Sequence, residues 1–387
     1  MSLNAPRPIY LDYMATTPVD PKVIDAMLPF LGPDGAFGNA HSPHQYGQTA
    51  AAAVEEARAR IAETLSTSAE SLIFTSGATE ANNLAIIGAA RLYQRKGRHI
   101  ITMATEHPSV LESMEELSRE GFEISYLPPQ ADGLLDLELL RTSLRKDTIL
   151  VSIMHANNEI GVIQDIPAIA ELLQGKGILF HVDAAQSAGK IAIDLEQWPI
   201  HLLSLSAHKN YGPKGIGALY IRQRPRIRVE RLTFGGNQER GFRSGTLPVH
   251  QIVGMGAAFN LSQAIRIEEQ ARLLELRQQL WTGIQDLPHL QMHGHPTQRL
   301  AGNLHISFEH LEGHTLRERL PELALSSTSA CSTTRHGVST VLTALGISKQ
   351  RAQNAVRLSL GRFTSENDIQ CAILAIRRAA GDSSCLL

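Results

Sequence analysis

The chain has few cysteines, because its 387 residues include only Cys331, Cys371 and Cys385. An odd and sparse count argues against a disulfide-stabilised fold and favours a reducing compartment. Cys371 falls in an apolar helical pattern and is expected to be a small core residue. Cys331 lies in a run of Ser, Thr and Ala over residues 326–334, which is typical of an exposed loop. A loop cysteine becomes chemically interesting only beside an electrophile.

The chain also lacks an excess of charge and any long apolar run. Its 36 Lys and Arg and 38 Asp and Glu give a formal net charge of −2, which offers no support for binding to nucleic acid or to an anionic membrane. No apolar run approaches the ~20 residues that span a bilayer, and residues 1–8 show no signal-peptide or transit-peptide pattern. We therefore expect a cytoplasmic protein without a nucleic-acid or membrane partner, and no metal site is expected.

Helical and strand patterns alternate from about residue 45 to 222. Helices are predicted at 45–65, 80–96, 108–120 and 166–174, and strands at 71–74, 99–103, 122–127, 148–155, 178–182, 201–205 and 217–221. This alternation predicts an α/β fold with a parallel or mixed sheet that helices cover on both faces. A long helix is predicted at 253–286. Residues 299–387 then read as a second, smaller α+β unit, with a strand at 303–307 and a helix at 366–379.

One segment, SLSAHKNYGPKG at residues 204–215, delivers a lysine directly after a predicted buried strand. Desolvation at such a position disfavours the ammonium form of Lys209, and only a neutral amine attacks an aldehyde to form a Schiff base. A lone loop lysine is usually a surface residue. Gly77, Asn158 and Asp183 also follow predicted strands, and ligands of such sheets bind beyond the carboxyl ends of the strands. We therefore expect one cleft to gather these four residues.

Four further features match a planar anionic ligand. The turn TSGATE at residues 75–80 leads into a helix, whose first N–H groups and dipole form an anion site with the Thr79 hydroxyl. His107 is placed to stack on a ring, and Asp183 to pair with a protonated pyridine nitrogen. Asn158 and Gln186 offer amides to a phenolic oxygen. Each feature alone is also explained as a helix cap, a turn or a structural residue. Together with Lys209 they supply what pyridoxal 5'-phosphate requires of a protein.

In these motifs the chain resembles the cysteine desulfurases of the IscS/NifS type, in the class V aminotransferase family of fold-type I pyridoxal-phosphate enzymes. The likeness covers nearly the whole chain, from YLDY at residues 10–13 to SLGRFT at 359–364, and its specific motifs lie at residues 75–80, 105–107, 157–161, 181–186, 208–217, 243–248 and 329–331. It implies a large cofactor-binding domain over residues 17–260, with a mixed, mostly parallel sheet. A smaller α+β domain is implied for residues 1–16 and 261–387, carrying the Cys331 loop.

The resemblance also implies roles for particular residues. Lys209 would hold the cofactor covalently and move the Cα proton, and Arg357 would grip the substrate carboxylate together with Asn158. Thr246 would reach the cofactor phosphate in a neighbouring subunit, so a homodimer is implied. The remaining cofactor contacts would come from Ala78, Thr79, His107, Asn158, Asp183, Gln186, Ser206 and His208.

By the same resemblance, L-cysteine is converted to L-alanine and its sulfur passes to Cys331 as a persulfide. His107 is the candidate acceptor of the thiol proton, and Arg335 and His336 are a second possibility, in a loop that lacks the family's usual acidic residue and proline. The acceptor of the sulfur stays open between an iron–sulfur scaffold and a tRNA-thiolation carrier. The alternatives are a selenocysteine lyase or a transaminase with the same cofactor, and a cofactor-binding partner protein without turnover.

Overall fold

The structure is a computed structural model that describes residues 7–309, 316–327 and 339–381. Its main element is a seven-stranded sheet. The strands are β2 (Leu72–Thr75), β3 (His99–Met103), β4 (Glu123–Leu127), β5 (Thr148–Met154), β6 (Leu179–Asp183), β7 (Leu202–Ser206) and β8 (Gly217–Ile221). They lie in the order β2-β8-β7-β6-β5-β3-β4. β8 is antiparallel to both of its neighbours, and the other strands are parallel. The prediction of a mixed, mostly parallel sheet is confirmed.

Helices cover both faces of this sheet, and therefore the central strands are almost entirely buried. β5 has seven buried residues in a row, as expected of a strand that packs against helices on both sides. Two separate clusters of buried apolar side chains lie on the two faces. The helices are α1 (Pro21–Met27), α2 (Gln45–Thr64), α3 (Ala78–Tyr93), α4 (Pro108–Arg119), α5 (Leu137–Ser143) and α6 (Ile166–Leu173), with short 3-10 helices at Leu28–Phe30, Ala69–Ser71 and Gln238–Gly241.

A second sheet lies in the C-terminal part of the chain. The remaining strands are β1 (Ile9–Tyr10), β9 (Leu290–Met292), β10 (Asn303–Phe308), β11 (Leu323–Ala324), β12 (Ser326–Ser327) and β13 (Ala355–Ser359). The second sheet is antiparallel, in the order β12-β13-β10-β9. A separate parallel pair joins β1 to β11 and brings the N-terminal segment onto this part of the chain. The helices are α8 (Thr340–Ala344), α9 (Lys349–Gln353) and α10 (Glu366–Ala379), with a 3-10 helix at Leu316–Arg319.

Helix α7 (Val249–Thr282) runs from one core to the other. Ile252, Met255 and Phe259 belong to a core of the large sheet, whereas Leu276 and Leu280 belong to the core of the second one. The predicted domain boundary at residue 260 falls inside this helix, and the division into two domains stays a prediction. Within the ranges that the structure describes, no helix is long and apolar enough to cross a bilayer.

Candidate active site

A cavity of about 630 Å³ opens where β2, β3, β5, β6 and β7 end. Gly77, Asn158, Asp183 and Lys209 all line it, which confirms the prediction that one cleft gathers them. The predicted site residues that also line it are Ala78, Thr79, His107, Gln186, Ser206, His208 and Arg357. Thr246 is exposed and is not part of this lining. Cys331 lies outside the described residues.

One end of the cavity is built for an anion. Helix α3 begins there, at Ala78, and no side chain in the described ranges caps it, so its first N–H groups are available to a ligand. Its N-cap, Gly77, has a φ of +155°. A Cβ on Gly217 of β8 would lie 2.7 Å from the Gly77 Cα, so both positions require the absence of a side chain.

Asp183 lies at the end of β6 and is 5% exposed. Its Oδ1 accepts from the Ala185 N–H at 2.9 Å, and its Oδ2 accepts from Nδ2 of Asn82 at 2.8 Å. Both bonds hold the carboxylate in one orientation in the wall of the cavity, with the buried amide of Asn82 behind it.

His107 caps helix α4 with its ring. Nδ1 accepts from the Ser109 N–H at 3.1 Å and lies 2.9 Å from Ser109 Oγ. Because Nδ1 acts as an acceptor, the neutral ring carries its hydrogen on Nε2. Burial lowers the pKa of His107; the nearby negative charge of Asp183 opposes this shift and the positive charge of Lys209 adds to it. In this tautomer Nε2 is a donor. To take up a thiol proton at Nε2, the ring must instead carry its hydrogen on Nδ1.

The Lys209 amine contacts the N-terminal segment. Its Nζ donates to the carbonyls of Met14 and Ala15, each at 2.7 Å. Gln186 donates from Nε2 to the same Met14 carbonyl at 2.8 Å, and its Oε1 accepts from Lys190 at 3.4 Å. Two amine-bearing side chains therefore lie on either side of the Gln186 amide. Desolvation, followed by the charges of Lys209 and neighbouring basic groups, lowers the pKa of Lys190 to about 7.

His208 precedes Lys209 and contacts Thr16 through Nδ1 at 3.1 Å. Burial lowers the pKa of His208 to about 4, and the positive charge of Lys209 contributes to the shift. The imidazole is therefore uncharged near neutrality.

Arg357 is buried, with 3% of its side chain exposed, and pairs with Asp12 at 2.7 Å. The pair is therefore not a surface ion pair. Nη1 donates to the Asn158 carbonyl at 2.6 Å, and the Asn158 Oδ1 is buried and has no partner in the described ranges.

Two buried carboxyl groups in the cavity wall were not predicted from the sequence. Glu106 is 1% exposed; its Oε1 accepts from the Met154 N–H at 2.9 Å, and its Oε2 has no partner among the described residues. Burial raises the pKa of Glu106 well above its usual value, and nearby Asp183 adds to the shift. Glu159 accepts from Ser339 Oγ at 2.5 Å, and burial raises its pKa to about 7. In the sequence both residues look like ordinary surface acids, because only the tertiary fold shows that they are buried.

Cys371 lies in helix α10 and is only partly buried. The expectation of a core cysteine is therefore wrong, because the apolar face of this helix is carried by Ile369, Ala372 and Ile376 and Cys371 stands beside that face.

Comparison with known proteins places the chain in one family. The family model for class V aminotransferases matches residues 9–371. The cysteine desulfurase IscS of Klebsiella pneumoniae is 52% identical over 375 residues, which cover 97% of this chain and 93% of that protein. A solved NifS-like protein superimposes with a TM-score of 0.90 at 35% identity and covers 97% of this chain and 99% of its own. A structure described as SspA in complex with cysteine has a TM-score of 0.78 at 34% identity, with 92% and 99% covered.

Proposed function

This chain belongs to the class V aminotransferase family and, within it, to the cysteine desulfurases, and we propose that it converts L-cysteine to L-alanine by moving the substrate sulfur to Cys331. The observation that supports this proposal is the convergence of the Lys209 amine, the Asp183 carboxylate and the uncapped start of α3 on one cavity. A buried arginine, Arg357, lines the same cavity and suits a substrate carboxylate.

The walls of the cavity fit pyridoxal 5'-phosphate. Its volume of about 630 Å³ is in the range of small-molecule sites. The start of α3, with Ala78, Thr79, Ser206 and His208, would hold the phosphate, and Asp183 the ring nitrogen. The buried Asn158 Oδ1 without a partner indicates that a polar group is required at this wall. Asn158 and Gln186 would flank the phenolic oxygen, and His107 would stack on the ring.

Bound there, pyridoxal phosphate supplies an electron sink for the charge that develops when a Cα proton is removed. Lys209 would hold it covalently, and its Nζ takes the proton from Cα of L-cysteine and returns it. The Met14 and Ala15 carbonyls, which accept from Nζ in this structure, stabilise the amine when it carries an extra proton. Arg357 and Asn158 orient the substrate through its carboxylate.

The sulfur step then uses the Cys331 thiolate, because the thiolate is the nucleophilic form. It attacks the substrate sulfur, a sulfur–sulfur bond forms, and the bond between Cβ and sulfur breaks. The electron pair of the broken bond stays with the substrate carbon, which takes up a proton and leaves as alanine. Cys331 keeps the sulfur as a persulfide.

Deprotonation of the Cys331 thiol requires an acceptor. His107 would serve this role in the tautomer that carries its hydrogen on Nδ1, where Ser109 Oγ at 2.9 Å can accept it and the Ser109 N–H gives up its bond to the ring. Arg335 and His336, which lie outside the described residues, remain the second candidates.

The active form that we propose is a homodimer with Thr246 at the phosphate of the neighbouring subunit. Support comes from its exposure, which leaves the Thr246 side chain accessible to a second subunit. The persulfide sulfur would pass to an iron–sulfur scaffold or to a tRNA-thiolation carrier.

The test is the release of alanine and sulfide from L-cysteine in the presence of a reductant. The native chain and Cys371→Ser should turn over equally, and Cys331→Ser should lose both products. Lys209→Ala should lose at least about 10²-fold in rate, because it removes the proton carrier. Equal turnover by Cys331→Ser and the native chain would favour the lyase or transaminase alternative. Alanine formation by Lys209→Ala at the native rate would overturn the assignment.

A further inference from the structure

The guanidinium of Arg357 is only partly committed to the protein. Nη2 donates to Asp12 Oδ1 at 2.7 Å and to Ser326 Oγ at 3.0 Å, and Nη1 donates to the Asn158 carbonyl at 2.6 Å. Nε has no partner among the described residues although it is buried. An arginine has five N–H donors, and these contacts use three of them. Of the other two, the Nε hydrogen is enclosed by the protein, and one Nη1 hydrogen remains for a ligand in the cavity that Arg357 lines.

Asp12 is itself held in place. Its two carboxylate oxygens lie 2.8 and 2.9 Å from Ser326 Oγ, and its backbone forms a bridge with Ser359, which ends β13. Arg357 lies on the same strand two residues earlier. The carboxylate therefore meets the guanidinium at a position that the backbone of both segments determines.

We propose that Asp12 is a positioning residue for the substrate carboxylate: it fixes one edge of the Arg357 guanidinium so that the remaining Nη1 hydrogen is held for a carboxylate in the cavity, and its negative charge limits how tightly that carboxylate binds. This inference rests on the proposed function. The two effects oppose each other, since orientation favours binding and the added negative charge disfavours it. Removing only the charge of Asp12 and removing its whole carboxylate should therefore have opposite effects on the binding of a carboxylate ligand.

Asp12→Asn keeps an oxygen that accepts from Nη2 and removes the charge. Asp12→Ala removes both. The measurement is the dissociation constant of L-alanine for the cofactor-loaded protein, followed by the change in cofactor absorbance, together with kcat and KM for L-cysteine. Asp25→Asn, at an exposed position on α1, is the matched control.

Asp12→Asn should lower the L-alanine dissociation constant and the KM for L-cysteine by roughly fivefold, and Asp12→Ala should raise both by at least as much. Neither substitution acts on the proton carrier, so kcat should change less than KM. Equal weakening by both variants, with equal losses of melting temperature in the cofactor-free protein, would show a merely structural contact and overturn the inference. Unchanged constants in both variants would also overturn it. Failure of the proposed function is distinguishable, because the native chain itself would then release no alanine.

Discussion

Asp183 and His107 are joined by an unbroken series of hydrogen bonds through two other side chains. The Asn82 amide donates to Asp183 Oδ2 at 2.8 Å and to Ser109 Oγ at 2.9 Å, and Ser109 Oγ lies 2.9 Å from His107 Nδ1. Asn82 is 0% exposed and lies on α3. The two groups that we expect at the edge and on the face of the cofactor ring are therefore oriented by one buried amide.

Asn82→Ala should weaken the binding of pyridoxal phosphate about tenfold. The substitution leaves the buried Asp183 carboxylate without one of its two donors, a loss worth about 1.5–3 kcal/mol when the acceptor is charged. The measurement is cofactor release followed by absorbance after dilution. Asn83→Ala is the control, because the Asn83 amide donates to the exposed Thr79 carbonyl of its own helix and, among the described residues, contacts neither Asp183 nor His107. Equal cofactor retention by both variants would contradict the prediction.

A second prediction concerns the charge state of Glu106. Its carboxyl is buried and has no cationic partner among the described residues, and burial raises its pKa. The folded state thus keeps a proton that the unfolded chain releases above about pH 4.5. The free energy of unfolding therefore falls as the pH rises from about 4.5 toward the pKa of Glu106 in the folded protein.

Glu106→Gln should therefore have a higher melting temperature than the native chain at pH 8. At pH 4.5 the two melting temperatures should no longer differ in this direction. The amide keeps the shape of the protonated acid and cannot ionise. Glu112→Gln, an exposed change on α4, should show the same difference from the native chain at both pH values. A Glu106→Gln effect that is independent of pH would mean that Glu106 is ionised in the folded protein.

The periodicity of the sequence predicted the strands well because buried central strands are continuous apolar runs. The predictions for His99–Met103 and Gly217–Ile221 agree with the structure residue for residue, and the cavity residues at strand ends followed from the α/β pattern. Asn82 and Glu106 could not be predicted in this way. On a helix or in a turn their side chains look like ordinary polar residues, and only the tertiary fold decides whether such a group is buried beside Asp183.

The start of α7 shows a related difficulty. Its helical pattern was expected to begin at residue 253, and the helix begins at Val249 and ends at Thr282. Pro248 is the N-cap of the helix. The two ends could not be inferred from the sequence, because a helix that packs against two separate cores has no single apolar face.

A third prediction follows from His181, a buried imidazole between two strands. It lies 2.8 Å from Ser152 Oγ on β5 and 3.0 Å from Ser204 Oγ on β7. Burial lowers its pKa to about 4. Between about pH 6.5 and 4 the unfolded chain binds a proton at this position that the folded protein does not, so stability is full above pH 6.5 and is lost as the pH falls.

His181→Gln should reduce the loss of unfolding free energy between pH 7.5 and pH 5 by about 2 kcal/mol. Glutamine has both a donor and an acceptor for the two serines and does not titrate. The measurement is the urea unfolding midpoint at the two pH values. His41→Gln, at an exposed position, should leave the native pH dependence unchanged, and an equally steep dependence in His181→Gln would contradict the prediction.

The last prediction concerns Arg362, which ties the N-terminal segment to α7. Its guanidinium pairs with Asp20 at 2.8 Å and with Glu269 at 2.7 Å, and its central carbon lies 3.9 Å above the Tyr211 ring. All three charged side chains are at most 10% exposed. A lysine ammonium keeps the charge but cannot bond to both carboxylates in this planar geometry while it stacks on the ring.

Arg362→Lys should therefore cost about 3 kcal/mol of unfolding free energy, near the lower end of the loss for a broken buried ion pair. Arg378→Lys is the matched control: its pair with Glu322 is largely exposed on the arginine side, and the change should stay within about 0.5 kcal/mol. Thermal and urea unfolding of both variants decide the question. Equal midpoints for the two would mean that the stacked, doubly paired guanidinium contributes no more than a surface charge. A large loss confined to Arg362→Lys would show that the buried, stacked guanidinium contributes far more to stability than an exposed ion pair does.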